Sequence, residues 1–270
     1  MRNAVQTNEK EGTPGHDRGL VVSLAASEAD VRASQSLRYQ VFAGEMGAEV
    51  ADRGAGLDAD SYDPYCHHLL VRDTQTEAVV ASTRVLLDTD AVAAGGYYSE
   101  SEFDIEAIHR LSGRFMEIGR TCVHCDYRNG SAIGVLWSGL AQFMAMHQID
   151  YMMGCASIGM TDGGYQAHAI MRRLRQRFMS AEDLRVVPKR CLPELAGELP
   201  EEIALPPLLK AYLHVGVQIC GEPYWDQAFN VADVFVLLDL DKANPRYVRH
   251  FLRRDLYQRN VLNETAQTHI

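Results

Sequence analysis

Polar and apolar positions follow two periods along this chain, one of strands and one of helices. Residues 20–25 read as a short strand, and Ser27 is placed to cap an amphipathic helix over residues 29–46. A loop dense in Gly and Asp fills residues 54–64. Two apolar runs, 67–72 and 79–87, flank the polar turn 73–76 and read as a hairpin. Residues 91–114 mix glycines with short apolar pieces and read as a variable loop with a short helix. Residues 115–124 form a further strand, and a helix begins at Ser131, where Ile133, Leu136, Leu140, Phe143 and Met144 keep a helical period. Residues 151–158 return as a strand. This strand–helix–strand order predicts a βαβ unit with parallel strands and a ligand site at their carboxyl ends. Gly163 and Gly164 precede a second helix reaching about Phe178, a Pro-punctuated stretch spans 188–207, and a short helix over 208–214 stops near Gly216. Residues 234–240 form the most apolar strand, and Asn244-Pro245 opens a terminal helix over 246–257. The expected organisation is one α/β domain over 19–270, elaborated from about residue 188, after a disordered arm over 1–18 too polar to bury much surface.

With 47% hydrophobic and 23% charged residues, the 270-residue chain can form a substantial core without disulfides or metal. No apolar stretch reaches the roughly 18 residues needed to span a bilayer. Met1 to Gly19 lack an apolar secretion core, so a cytoplasmic location is expected. A formal charge of −10 argues against indiscriminate nucleic-acid binding. The six cysteines are too sparse for a disulfide framework, and Cys122-x-x-Cys125 is half a zinc motif without a second pair, so no metal is expected.

Several groups of residues carry candidate chemistry, each beside a plainer reading. Arg38, Phe42 and Glu45 share a helix face at i, i+4 and i+7, which is either a solvated face or part of a site. Asp58, Asp60 and Asp63 form a negative pocket, but Tyr62 and Leu69 fall where a calcium loop requires oxygen ligands. Arg84, Glu117 and Arg120 are charges in mid-strand and need partners: either a buried ion pair, or a cavity reached because Gly119 marks a bulge that turns Glu117 and Arg120 the same way. The segment 126–134 can present a helix N-terminus to a phosphate, or be a routine turn capped by Ser131. Signatures of serine hydrolases, P-loop nucleotidases and zinc proteases are absent from the sequence.

Taken together, LRYQVFAGEMG, DPYCHHL, VVASTRVL, GGYYSESEFD, RFMEIGRTCVHCDYRNGSAIGVLW, LPPLLKAYL and ADVFVLLDL resemble the GNAT acyltransferase superfamily and, within it, the L-ornithine Nα-acyltransferases. The pattern Arg38-x-x-x-Phe42-x-x-Glu45, the acidic loop, Arg84 and Glu117-x-x-Arg120 is also similar to acyl-homoserine-lactone synthases. The resemblance implies a GNAT-like mixed central sheet flanked by helices, with splayed parallel strands at the acyl-donor site. It implies transfer of a 3-hydroxyacyl group from acyl carrier protein to the α-amine of ornithine, giving lyso-ornithine lipid. The strict GNAT phosphate loop would place glycines at 131 and 133, where this chain has Ser131 and Ile133. A phosphopantetheine arm, with one phosphodiester, needs less of that cradle than coenzyme A does, so the donor is expected to be carrier-bound and no cofactor resident.

On this resemblance Glu117 is the expected general base, with Arg120 beside it. Backbone N–H groups at Cys122, Val123 and His124 are the expected oxyanion donors, and Arg128, Asn129, Gly130, Ser131 and Ala132 the rest of the donor loop. Asp58, Asp60 and Asp63 are expected to hold ornithine's side-chain ammonium, with Arg38 or Arg84 on its α-carboxylate and Phe42 and Glu45 nearby. An acidic carrier protein needs a basic dock on an acidic enzyme: either Arg172, Arg173, Arg175 and Arg177, or Arg246, Arg249 and Arg253 on the terminal helix. The same arginines could instead be a solvated stripe, or rest on the anionic inner membrane surface. Alternative activities are acylation of glycine or lysine, homoserine-lactone synthesis, and a non-catalytic, haemolysin-like lipid-binding role. A lactone synthase would be expected to carry tryptophans near the first helix, whereas Trp137 and Trp225 are the two present.

Overall fold

The structure, a computed structural model, describes residues 19–50, 54–201 and 203–244. The expected N-terminal arm and terminal helix lie outside the described residues. In chain order the regular elements are β1 (Leu20–Leu24), α1 (Glu28–Tyr39), β2 (His67–Asp73), β3 (Val79–Leu87), α2 (Asp88–Ala94), β4 (Phe103–Asp104), α3 (Glu106–His109), β5 (Phe115–Val123), α4 (Ser131–Met146), β6 (Tyr151–Gly159), α5 (Tyr165–Arg175), β7 (Val187–Pro188), α6 (Pro207–Val215), β8 (Gln218–Ile219), β9 (Tyr224–Asp226) and β10 (Val231–Asp239).

The main sheet runs β1-β2-β3-β5-β6-β10-β8, with β9 also on β10, and β4 pairs β7 separately. Among the described strand ladders the parallel one is β5 with β6, joined by the α4 crossover as the βαβ pattern predicts. Residues alternate across this sheet, so each strand feeds two cores. On one face Val85, Met116, Ile118 and Val236 pack with Leu136 and Leu140 of α4, Ile170 and Leu174 of α5, and Leu209 of α6. On the other Leu86, Phe115, Met153 and Phe235 pack under Ala91 of α2 and Ile108 of α3, while Leu37 and Val41 of the first helix cover Cys122. The architecture is a mixed sheet flanked by helices, the arrangement the resemblance implies.

Four local features differ from the sequence-based expectations. The first helix, capped by Ser27 on the N–H of Asp30, ends at Tyr39 and widens into a π turn over Gln40–Glu45. Its i→i+5 bonding splits the expected face of Arg38, Phe42 and Glu45. Residues 88–109 are more ordered than a variable loop, holding α2, β4 and α3. Ser131 is not the cap of α4; Gly130, at φ 95°, takes that position, which a left-handed backbone makes natural for glycine. The last long strand begins at Val231 rather than at 234, which brings Asp233 into the sheet.

The feature that shapes the site is where β5 and β6 part. Their register runs from Phe115↔Tyr151 to Ile118↔Gly154 and stops, while β6 stays paired with β10 through Gly159↔Val231. β5 instead stays with β3, where one extra β5 residue enters between Gly119↔Arg84 and Cys122↔Ser82. That bulge, expected at Gly119, places Arg120 at φ 52°. It also reverses the parity of β5, so that Met116 and Cys122, both even-numbered, face opposite cores. At the apex Gly154 closes on β5: a Cβ there would lie 2.3 Å from the Ile118 carbonyl oxygen. Gly154→Ala is therefore expected to destabilise the fold by about 1–3 kcal/mol through overpacking. Urea denaturation with intact-protein activity measures both consequences, and a variant of wild-type stability would show that the contact relaxes freely.

Candidate active site

The parted strands open a cavity of about 550 Å³. One side is bounded by Gly130 and Ile133 at the start of α4 and by Leu208, Ala211 and Tyr212 of α6; the other by Tyr62, Tyr98, Arg84, Glu117, Arg120, Cys155, Ser157, Asp226 and Asp233. An apolar slot thus leads into a polar chamber.

Three guanidiniums and three carboxylates form an ion network beneath the chamber, and of these Arg84 and Arg120 reach its wall. Arg38 Nε donates to Asp58 Oδ2 and its Nη1 to Asp63 Oδ1, both at 2.8 Å. Arg84 Nη1 reaches Asp60 at 2.5 Å and Asp63 at 2.8 Å. Arg120 lies 3.2 Å from Asp58 and 3.3 Å from Asp60. Asp63 also accepts from Gln35 Nε2 at 2.9 Å. Burial alone would raise the Asp63 carboxyl, but Arg38 and Arg84 outweigh it and hold the group well below the usual carboxylate range. The bulge carries the third guanidinium into this network, over the rings of Tyr98 and Phe229 at 5.1 and 4.9 Å.

Glu117 sits one pair before the apex, opposite Met153. Its carboxylate accepts from the N–H groups of Tyr98 (2.7 Å) and Ser99 (2.8 Å) and from the Ser99 hydroxyl (2.5 Å). Burial raises its pKa, and those three donors oppose the rise. No described cation pairs with it within 4.0 Å, so it is not half of a buried Arg–Glu bridge.

Beyond Glu117 lies a second acidic group. Ser157 donates to Asp233 Oδ1 at 2.6 Å and Cys155 to Glu102 Oε2 at 3.3 Å. One oxygen each from Glu102, Asp226 and Asp233 lies within 4.8 Å of the others, as do ligand atoms of His124, Cys125 and Asp126 at the surface; either set is spaced to share an ion.

Residues 37–138 match the acetyltransferase (GNAT) domain family. An L-ornithine N(alpha)-acyltransferase of Rhizobium meliloti (strain 1021) is 36% identical over 258 residues, covering 88% of this chain and 86% of the relative. Another of that name, from Brucella abortus (strain 2308), is 32% identical over 255 residues, covering 88% and 90%. This chain belongs to the L-ornithine N(alpha)-acyltransferase family. It is an acyltransferase. Two solved structures share its fold: the N-acyl amino acid synthase FeeM from uncultured soil microbes (TM-score 0.50, 10% identity, 83% of this chain and 93% of that one) and the CoA-dependent acyl-homoserine lactone synthase BjaI (TM-score 0.52, 16% identity, 87% and 89%).

In this acyltransferase the expected site residues separate into those at the cavity wall and those behind it. Phe42, Glu45, Arg84, Glu117, Arg120, Cys122, Val123, Arg128 and Gly130 line it. Arg38, fully buried, and Asp58, Asp60 and Asp63 do not; they hold the bulge in place, and pairing with Arg38, Arg84 and Arg120 leaves the three aspartates no unpaired negative charge for an ammonium. Among the expected oxyanion donors, His124 gives its N–H to Val80 O at 2.8 Å, and alternation turns the Cys122 N–H toward β3 as well. The Val123 carbonyl accepts from Arg128 Nε at 2.9 Å on the opposite edge, so the Val123 N–H faces the gap. In the donor loop Asn129 Oδ1 takes the Ser131 N–H at 3.0 Å, Ala132 is buried in the core, and Arg128 pairs with Glu45 at 2.7 Å.

Sequence reading missed Tyr98, Glu102, Cys155, Ser157, Asp226 and Asp233. One signal was present: Asp233 is an acid inside the apolar run Val231–Asp239, and starting that strand at 234 hid it. Removing Asp63, which serves two buried guanidiniums, is expected to cost about 3–5 kcal/mol in an Asp63→Ala variant. Because its folded pKa lies below the unfolded one, its stabilisation is full above the ordinary carboxylate range and is lost as pH falls through the folded value. Denaturation curves at neutral and acid pH test this; equal stability of variant and wild type would make the network dispensable.

Proposed function

We propose that this chain transfers a 3-hydroxyacyl group from the phosphopantetheine arm of acyl carrier protein to the α-amine of L-ornithine, yielding lyso-ornithine lipid. The observation that carries the reading is the parted β5–β6 pair, whose apolar slot meets a polar chamber at Glu117. Ornithine comes from the names of the relatives, and the chamber's charged walls suit a small, multiply charged amino acid. The donor rests on the turn after β5. Glycines are missing at 131 and 133, and the Arg128 guanidinium is engaged by Glu45 and the Val123 carbonyl, which leaves little free positive charge for a pyrophosphate. No resident cofactor is invoked.

The amine must be neutral to attack the thioester carbonyl. Glu117, directly or through a water, takes its proton as the N–C bond forms. The Val123 N–H donates to the developing oxyanion, as the edge β5 exposes once β6 has turned away. Collapse breaks the C–S bond and the phosphopantetheine thiolate leaves, taking from Glu117 the proton drawn from the amine. Arg120, at the cavity wall, is placed for the α-carboxylate. Tyr212 and Leu208 flank the path of the arm.

Docking falls to α5. Arg172, Arg173, Arg175 and Arg177 are all exposed, but Arg175 is bound by Glu222 and Arg172 by the Pro200 carbonyl. That leaves Arg173 and Arg177, with no ion-pair partner among the described residues, to meet an acidic carrier. No helix among the described residues is long and apolar enough to cross a membrane. A cytoplasmic enzyme that delivers its product at the inner membrane surface fits this reading.

Incubating the protein with 3-hydroxyacyl-loaded carrier protein and a panel of amino acids, followed by mass spectrometry, tests the assignment; failure to acylate ornithine overturns it. Glu117→Gln is expected to lower kcat on the order of a hundredfold or more. Since burial raises the Glu117 pKa, the acid limb of the wild-type pH–rate profile should lie above the ordinary carboxylate range, with rate rising as the base ionises, and the variant should lose that limb. Full transfer by Glu117→Gln rejects the base. Reversing charge at Arg173 and Arg177 should raise KM for the loaded carrier, and unchanged kinetics would remove that dock.

A further inference from the structure

We propose that Asp233, backed by Glu102, is the counter-charge for the cationic side chain of the acceptor amino acid, and so sets acceptor specificity. The inference rests on the reaction assigned above and replaces Asp58, Asp60 and Asp63 as the ammonium site. A charge inventory of the cavity leads to it. Arg84 and Arg120 are matched by the aspartates of the ion network, Arg128 by Glu45, and Glu117 by three hydrogen-bond donors. Asp233 is 5% exposed and lines the cavity, Glu102 is 3% exposed behind it, and both have neutral donors, Ser157 and Cys155, but no Lys, Arg or His within 4.0 Å among the described residues.

Two carboxylates drawn from water without a cation are an incomplete arrangement, because desolvation of the charged form is repaid only by pairing. Burial, reinforced by the Asp233 charge, pushes Glu102 up to about 8, and burial raises Asp233 to about 6, with the Ser157 hydroxyl and the more distant Arg120 charge opposing the rise and Asp226 adding to it. Their position fits an amino acid. Ser99 Oγ touches Glu117 at 2.5 Å and Cys155 Sγ at 3.6 Å, and that thiol reaches Glu102. Glu117 is thus linked to Glu102 through two hydrogen-bonding atoms, and Glu117 and Asp233 both line the one cavity, so a small diamino acid in it has a carboxylate for each nitrogen. Asp233, opposite Ser157 across β6–β10, points to the same side of the sheet as Cys155.

The test compares ornithine with norvaline, the same carbon chain without the side-chain amine, as acceptors for the full-length wild type, Asp233→Asn and Glu102→Gln. Wild type is expected to favour ornithine in kcat/KM by on the order of tenfold to a hundredfold, the worth of a charge-assisted hydrogen bond. Each variant should shrink that ratio, mainly through a higher KM for ornithine. Glu102→Gln carries the test if Asp233→Asn fails to fold, and calorimetric binding of the two amino acids to wild type gives the same ratio if turnover is too slow to measure. A wild type that does not distinguish the two, or variants whose ratio is unchanged while both rates fall together, overturns the inference. Acylation of lysine in place of ornithine would overturn the assigned acceptor but not this inference, which lysine against norleucine then decides; transfer to neutral acceptors alone overturns both.

Discussion

The end of the β5–β6 ladder at Ile118↔Gly154 is the constraint on which the rest of the molecule depends. Adjacent parallel strands gain a hydrogen bond at each step, so a pair that parts halfway must be held apart on both sides. β6 is held by nine residues of continuous pairing with β10, and β5 by β3. The extra residue in β5 then rotates the strand's end away. What remains is a strand edge with backbone donors facing a slot, a surface that an extended, amide-bearing arm can pair with as a missing strand would.

The bulge in turn depends on charge. Arg120 adopts a left-handed backbone that a non-glycine residue takes only when its surroundings over-determine it, and here two aspartates and two aromatic rings do so. Those aspartates are themselves fixed by Arg38, delivered by α1, and by Arg84, delivered by β3. A network buried this deeply adds more specificity of geometry than net stability, since its desolvation offsets most of its attraction. It joins the first helix, the acidic loop and the bulged strand into one frame, which places Glu117 at the mouth of the slot. The two acidic clusters flanking this frame differ in kind: one is neutralised from within the protein, the other is not.

The fold was legible in the sequence to the extent that periodicity carries it. The hairpin β2–β3, the α4 crossover, β6 and α6 all follow from apolar spacing, and the bulge was visible as two charges at the wrong parity around Gly119. The π turn was not legible: no local period marks it, and Phe42 within it packs on Phe229, nearly two hundred residues away in sequence. Nor was Ser131's displacement as cap, since the left-handed Gly130 takes that position and the Asn129 amide oxygen accepts the Ser131 N–H.

By itself the sequence determined the α/β order, the family motifs and the residue types a buried acyl-transfer site requires, because local period and local chemistry are properties of neighbours in the chain. Which aspartates are paired and which stand open was decided only by tertiary structure. Asp58, Asp60 and Asp63 looked like a free negative pocket until Arg38, Arg84 and Arg120 arrived from three other elements. Asp233 and Glu102, more than a hundred residues apart, came together with no ion-pair partner within 4.0 Å among the described residues, the Arg120 charge acting on Asp233 only from farther off. Pairing of charges falls steeply with distance and rises with burial, and both are set by the fold rather than by the order of residues.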